Sequence, residues 1–523
     1  MGPEKDIDLK QDAVQLEALS SRPEAEQQLA RTWTPKEERK LVLKMDLWLC
    51  TVSFVIYLIT FIDRANVGNA KVAGLEKDLG LKGNQYNIAL TVFYIAYGLW
   101  EIPANLICKK LGPKIWIPLQ IMAFGTVCLA TGFIKNYAGF IVVRILLGLA
   151  EGGVLPALTL LLSRFYTRPE LVFRAGIMVS AAALAGAFGG LLASGFLAVG
   201  QVGKIGAPWR NIFGDTGVIT LAIGLASYFL IPIEPATARF LNTREREIAV
   251  QRLITPQDAI INVHRRASST LVKQSFFSIP NWLCALGCNT DFPSLGSGVS
   301  LFLPTIMRGL YPGMTTVQIQ LRSVPPFVVA FVFGLFTAWL SDRLNQRAWI
   351  MLACSPFAIA GYVVFVATGL DDVQARYAGC FLCVLGAFPL GPFFLAWATN
   401  NSATDTERGV ASGFVPGVGQ FGAIIASQFL LLNCFGSDPL PYLQASWSYL
   451  ASDGPNYKKG NSLNIGMAIV CWSLVAATRI YCVWENKRRD KGKQDHVLEE
   501  LGPEGDPGMA VLGSRHPDFR FSL

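Results

Sequence analysis

Asp63, Arg64, Glu101, Arg144, Glu151 and Asp291 are ionisable residues inside long apolar runs of this chain. A charge in such a setting is costly, and its retention marks a functional hypothesis. Arg144 and Glu151 share one run and stand seven residues apart, roughly two helical turns, so one helix face carries both. The rise between them, about 10 Å, is too long for a direct ion pair. Arginine keeps its charge and offers a planar fork that suits a carboxylate or a phosphate. A glutamate in a low-dielectric site takes up and releases a proton closer to neutral pH than it does in water. A fixed cation beside a protonatable acid is the chemistry that coupling an anion to a proton requires. A structural pair that only fixes helix packing is the other reading of the same spacing.

The remaining candidates are weighed in the same way. Arg64 is a second anion contact with Asp63 as its neighbour or gate, or else the two are interfacial charges that reach water along their stems. Glu101 precedes Pro103, so it is a proton carrier or a packing contact at a kink. Asn289 and Asp291 lie just before Pro293, Gly296 and Gly298, a composition that breaks helices and exposes backbone to a transport cavity. Phe393, Phe394, Trp397, Asn400 and Asn401 close another apolar run and suit stacking on, and hydrogen bonding to, a substrate. Trp397 suits an interfacial anchor equally well.

The elements that must carry these residues are membrane helices. The chain has 52% hydrophobic and only 16% charged residues over 523 positions, with mean hydropathy +0.39. Soluble domains carry about 25% charged residues. Charge-poor runs of roughly 20 residues match the hydrocarbon thickness of a bilayer. Twelve spans are expected, near 46–66, 86–108, 115–134, 138–162, 175–199, 214–233, 279–306, 321–341, 349–369, 376–399, 410–433 and 463–484. The expected organisation is a polar tail over 1–45, a six-helix bundle over 46–233, a polar linker over 234–277, a second six-helix bundle over 278–485 and a tail over 486–523. Thr34-Pro35-Lys36-Glu37 and Asn242-Thr243-Arg244-Glu245 read as helix starts, the first a capping box with proline at the first helical position. Small residues over Ala185 to Gly190 call for close helix contact.

Charge distribution sets the orientation. Lys109, Lys110, Lys114, Arg164, Arg168, Arg174, Arg343, Arg347 and Arg408 crowd the short loops on one side, and the linker and C-terminal tail add more. By the positive-inside rule that side is cytoplasmic, with both termini. Anchoring at a membrane surface accounts for the net charge of +8 better than nucleic-acid binding does. The three histidines, His264, His496 and His516, fall in the linker or tail. No cofactor, metal site or catalytic residue is therefore expected, and Cys380 and Cys383 read as packing residues.

These residues carry a resemblance to the major facilitator superfamily, and within it to the anion:cation symporter group and its fungal allantoate-permease-like branch. Phe61 to Ala70, Gln85-Tyr86-Asn87, Glu101-Ile102-Pro103-Ala104-Asn105 and Arg144-Ile145-Leu146-Leu147-Gly148 with Glu151-Gly152-Gly153 match its patterns. Trp209-Arg210, Phe302 to Ile306 and Val324-Pro325-Pro326 match as well. The resemblance implies an all-α membrane fold of twelve helices in two six-helix bundles, usually monomeric. It implies proton-coupled movement of a small organic anion, with Arg64 and Arg144 binding the anion and Glu151 coupling the proton. Ser341-Asp342-Arg343 through Arg347 resembles the superfamily's loop motif, in which Asp342, Arg343 and Arg347 would hold a gate closed. The first-half copy, Lys109 to Lys114, lacks the aspartate, so that gate must use other carboxylates. The expected function is symport of a carboxylate or ureide-like anion, in the plasma membrane by default and with the vacuole as the alternative. Export of a fungal metabolite by the same fold is the alternative, and a polytopic membrane enzyme a distant one.

Overall fold

A computed structural model describes residues 33–198, 207–253, 269–290, 297–344, 346–404, 406–418, 454, 456–494 and 512–523. Regular structure among them is helical, with no strand. Among the described residues nine helical stretches are long and apolar enough to cross a bilayer, and a tenth is formed by a bent pair. Of the twelve expected spans, those near 279–306 and 410–433 run across residues outside the described set, so the structure does not test the count of twelve. The molecule is a multi-pass helical membrane protein.

The helices are α1 (Pro35–Met45), α2 (Thr51–Val72), α3 (Gln85–Leu111), α4 (Pro113–Thr131), α5 (Tyr137–Glu151), α6 (Val154–Ser163), α7 (Arg168–Ala198), α8 (Pro208–Leu230) and α9 (Thr243–Gln251). They continue as α10 (Ser269–Phe276), α11 (Ile279–Thr290), α12 (Ser297–Leu310), α13 (Thr316–Leu344), α14 (Arg347–Ala367), α15 (Val373–Ala387), α16 (Leu390–Asn400) and α17 (Lys458–Asp490). Residues 406–418 are also helical. The start of α1 is the capping box expected from the sequence, with Thr34 N donating to Glu37 Oε2 at 2.7 Å and Glu37 N donating to Thr34 Oγ1 at 3.3 Å. Glu245 plays the same part for α9, accepting from Asn242 N at 2.8 Å. Its carboxylate also accepts from Lys44 Nζ at 2.6 Å, which ties α9 to the end of α1.

Two breaks position functional groups. Pro103 bends α3 by 46° between Gln85–Glu101 and Pro103–Leu111, because proline removes a helical donor and its ring clashes with the preceding turn. The expected span over 138–162 is present as one bilayer-length stretch, Tyr137–Ser163, interrupted between α5 and α6 at Gly152 and Gly153. Gly153 holds φ +96°, and a Cβ there would lie 2.5 Å from Ala104 Cβ. At Gly148 a Cβ would lie 2.4 Å from Phe93 O. Glycine at these places lets α5 press onto the backbone of α3.

The helices before the polar connector meet those after it chiefly along α7 against α13 and α2 against α12. At Gly186 a Cβ would fall 2.6 Å from the Phe327 ring, and at Gly190 it would fall 3.1 Å from Gln320 O. Close approach at Ala185 to Gly190 is thus what the small residues provide. This contact lies towards the C-terminal end of α7 and the N-terminal end of α13. The same end of the molecule has Arg308 Nη2 donating to Val72 O at 3.3 Å, and Lys71 Nζ 4.2 Å from the Tyr86 ring and 5.3 Å from the Phe302 ring. Towards the end that carries the short basic loops, α7 and α13 line a cavity instead.

Candidate functional site

Glu151 is the last residue of α5, where unpaired backbone carbonyls give the helix end a partial negative charge. Gln120 Nε2 relieves one of them by donating to Gly152 O at 2.8 Å. Arg64 on α2 answers the carboxylate itself, with Nε donating to Glu151 Oε2 at 2.6 Å. Glu151 is 0% exposed, and its Oε1 has no hydrogen-bond partner. Three rings surround the Arg64 guanidinium, with centroids at 4.8 Å for Phe61, 5.6 Å for Phe93 and 4.6 Å for Tyr97. Arg64 is therefore held from behind by a carboxylate and sandwiched by aromatic faces, which attract a cation.

Asp63 points to the other side of α2. Its Oδ1 accepts from Cys128 Sγ at 3.5 Å and its Oδ2 accepts from Thr220 Oγ1 at 3.2 Å. Asn66 Nδ2 donates to Thr216 Oγ1 at 3.1 Å on the same face. The sequence reading missed this network. Its signal was the four-residue spacing of Thr216 and Thr220 in an otherwise apolar run.

Arg144 is 2% exposed, and its Nε and Nη2 have no hydrogen-bond partner. The Phe140 and Phe213 rings face it at 5.1 and 5.8 Å. The absence of an Arg144–Glu151 bond agrees with the two-turn spacing. Glu101, at the α3 bend, is 4% exposed, and its Oε2 has no partner.

A cavity of about 300 Å³ opens between the two sets of helices. Arg64 lines it from α2, Tyr94 from α3, Ser180 from α7, Phe331 and Trp339 from α13, and Phe393 from α16. Arg347 and Ser341 line its basic-loop end. Arg64 and Arg347 are the charged residues of the described lining, and no carboxylate belongs to it.

The other candidates separate. Asn289 on α11 is 0% exposed with neither amide atom bonded, and it does not line the cavity. Asp291 lies outside the described residues. Trp397 is 0% exposed, and its Nε1 donates to Ser522 O at 2.9 Å. Asn400 lines a second, polar crevice with Gln346, Arg408, Arg520 and Ser522. Both thus stand against the C-terminal segment. Of the gating group, Arg343 sits 5.3 Å from the Trp339 ring, and the side chain of Asp342 is not among those described. Carboxylate pairs are also present at the basic-loop end of the earlier helices. Arg174 Nη2 donates to Asp46 Oδ2 at 2.8 Å and Arg252 Nη2 donates to Glu170 Oε2 at 2.6 Å.

The Major Facilitator Superfamily pattern matches residues 53–427. This chain belongs to the major facilitator superfamily. An uncharacterized transporter of Schizosaccharomyces pombe is 33% identical over 395 residues, covering 76% of this chain and 78% of that one. The MFS transporter prlL of a fungal species is 31% identical over 460 residues, covering 86% and 88%. Among solved structures, a D-xylose-proton symporter superposes with TM-score 0.58 at 12% identity, covering 83% of this chain and 98% of that one. A bacterial homologue of the human lysosomal transporter Spinster, inward-facing and occupied, gives 0.56 at 14%, covering 83% and 96%. At such identities these two structures bear on the fold. The major facilitator fold and the membrane location are thereby settled, and the relatives named are transporters.

Proposed function

We propose that this major facilitator protein is a proton-coupled symporter of a small organic anion, working by alternating access. The observation that carries the reading is the Arg64–Glu151 ion pair at the cavity wall. With Glu151 ionised, Arg64 is neutralised from behind and has little to offer a second carboxylate. With Glu151 protonated, the same guanidinium holds an unmatched charge that an anionic substrate can answer. Proton and anion binding then favour each other, and by linkage the effect is reciprocal. Glu101 and Asp63 are further sites on the proton path, and Arg144, without a carboxylate bonded to it, is a second anion contact. The match of Arg64, Arg144 and Glu151 to the anion:cation symporter pattern supports these roles.

The two halves, 46–233 and 278–485, would rock about the cavity. Contacts at the Lys71 and Phe302 end, together with a cavity towards the basic loops that the positive-inside rule makes cytoplasmic, support an inward-facing state; both termini would be cytoplasmic and the membrane the plasma membrane. Asp342, Arg343 and Arg347 would close the inner side, and Asn289 and Asp291 would reach the substrate from the second half in other states of the cycle.

The test is uptake into proteoliposomes under an imposed inward proton gradient, with a panel of carboxylates. Accumulation that is lost in Arg144→Ala, and reduced to exchange alone in Glu151→Gln, supports the assignment. Wild-type behaviour in both variants would sink it. Accumulation only under an outward proton gradient would favour the exporter.

A further inference from the structure

Taking the Arg64 site as an anion site, as the proposed function does, we infer that its substrate has one acidic group on an apolar, ring-bearing body. A hydrophilic ureide acid is not what this cavity selects. Phe61, whose ring lies 4.8 Å from the Arg64 guanidinium, and Tyr94, Phe331, Trp339, Phe388 and Phe393 all line the cavity. Most of the remaining lining is Gly, Ala, Val, Ile, Leu and Pro. Neither Asn nor Gln nor any carboxylate occurs in the described lining. A ureide brings several amide donors and acceptors, and beside the hydroxyls of Tyr94, Ser180 and Ser341 the described lining offers them few partners, so most would be stripped of water without gaining a bond. A ring system loses nothing on leaving water and gains offset or edge-on contacts with the wall.

The room for that body has a specific origin. Gly176 on α7 and Gly334 on α13 both line the cavity, and a Cβ added at either would have no atom within 4 Å. Both have ordinary helical backbone, since neither is among the positive-φ glycines. Backbone geometry thus does not require glycine at these two places, and the missing side chains leave space between α7 and α13. A cavity of about 300 Å³ is at the small end of the range for ligand sites, roughly 300–1,000 Å³. A fused pair of rings with one carboxylate suits it better than a long chain does. Arg64 supplies one fork at the ring-lined wall, and Arg347 stands apart at the basic-loop end.

Binding decides this better than flux, because an apolar acid crosses bilayers unaided in its neutral form. Isothermal titration of the purified full-length protein in detergent would compare 2-naphthoate, benzoate and allantoate, each a monoanion. The expected result is that 2-naphthoate binds about 10-fold or more tightly than allantoate, since each methylene-sized group buried in an apolar pocket is worth roughly that factor. Gly334→Leu, or Gly176→Leu from the facing helix, should weaken 2-naphthoate by a similar factor and leave benzoate nearly unchanged. Retained benzoate binding shows that the variant is folded. If both variants lose benzoate, the wild-type ranking alone decides. Allantoate binding as tightly as 2-naphthoate overturns the inference. The double variant Arg64→Ala/Glu151→Gln, which leaves no buried charge without its partner, separates that failure from failure of the anion site. If allantoate wins and the double substitution abolishes its binding in a protein that still unfolds near the wild-type temperature, the anion reading stands and only the apolar body is wrong. If binding of all three acids is indifferent to the double substitution, both readings fall.

Discussion

Arg64 Nε lies 2.6 Å from Glu151 Oε2, whereas Arg144, on the same helix as Glu151, has no carboxylate bonded to it among the described residues. Two arginines that look alike in sequence are thus in opposite electrostatic states. One is matched by a carboxylate and one is not. The first has a carboxylate partner, and the second lies among aromatic rings.

Removing Arg64 should therefore damage stability as well as transport. Arg64→Ala leaves Glu151 fully buried with no cation bonded to it. Breaking a buried pair from one side costs about 3–5 kcal/mol. Thermal unfolding of the purified protein in detergent should show a marked fall for Arg64→Ala. The double variant Arg64→Ala/Glu151→Gln should recover much of it, because no buried charge is then left over.

Arg144 should behave in the opposite way. Its Nε and Nη2 are buried without acceptors, so Arg144→Leu removes two buried unbonded donors and leaves an apolar group among Phe140 and Phe213. The expected unfolding temperature is equal to or above wild type, with anion transport lost. A fall as large as that of Arg64→Ala would show that Arg144 is structural.

The sequence made the fold legible because bilayer-length apolar runs and clustered basic loops are one-dimensional signals. It placed Arg64, Arg144, Glu101 and Glu151 among the functional candidates because charges in apolar runs stand out. Pairing was not legible. The spacing of Arg144 and Glu151 excluded a bond between them, but nothing in the chain states that Arg64, 87 residues before Glu151, supplies the partner. The aromatic wall was hidden for the same reason, since Phe61, Phe331 and Phe388 meet only in three dimensions. Trp397 shows the limit of composition: an indole at a helix end suits a ligand, a membrane interface or a tail, and here its N–H meets Ser522.

The break after Glu151 gives a third expectation. Gly153→Ala would place a Cβ 2.5 Å from Ala104 Cβ at φ +96°. A non-glycine residue in that region carries about 1–3 kcal/mol of strain before the clash is counted. The substitution should lower thermal stability and displace Glu151 from Arg64, lowering proton-driven uptake more than exchange. Normal uptake in Gly153→Ala would mean that the α5–α6 break does not position Glu151.

A pH effect is expected at the polar connector. Partial burial raises the Glu245 pKa, but the Lys44 hydrogen bond and the Asn242 backbone N–H outweigh it and hold the carboxyl below its ordinary range. A carboxyl depressed in the folded state stabilises it above the unfolded value, and that contribution is lost as pH falls through the folded one. Docking of α9 on α1 should therefore loosen on acidification below the usual carboxylate range. Both partners are partly exposed, so the contribution is under about 1 kcal/mol. Limited proteolysis near 243–251 should rise at low pH in wild type, and Glu245→Gln should show the higher rate already at neutral pH.

The C-terminal segment supplies the last prediction. Glu407, 1% exposed, accepts from Ser514 N at 3.1 Å and Ser514 Oγ at 2.8 Å, as well as from Ala403 N at 3.0 Å. Arg489 donates to Ser514 O, Phe519 O and His516 O at 3.1, 2.9 and 3.3 Å. Trp397 adds a single bond to Ser522 O. Trp397→Phe removes one neutral hydrogen bond, worth about 0.5–1.5 kcal/mol. Glu407→Ala strips several donors of a charged acceptor at once, and such bonds are worth about 1.5–3 kcal/mol each. Hydrogen exchange across 512–523 should therefore quicken slightly in Trp397→Phe and strongly in Glu407→Ala. Because Leu523 O accepts from Arg347 N at 3.0 Å, release of the segment should also expose the start of α14. Equal exchange in the two variants would mean that the carboxylate does not hold the segment, and that the indole contact and Arg489 do.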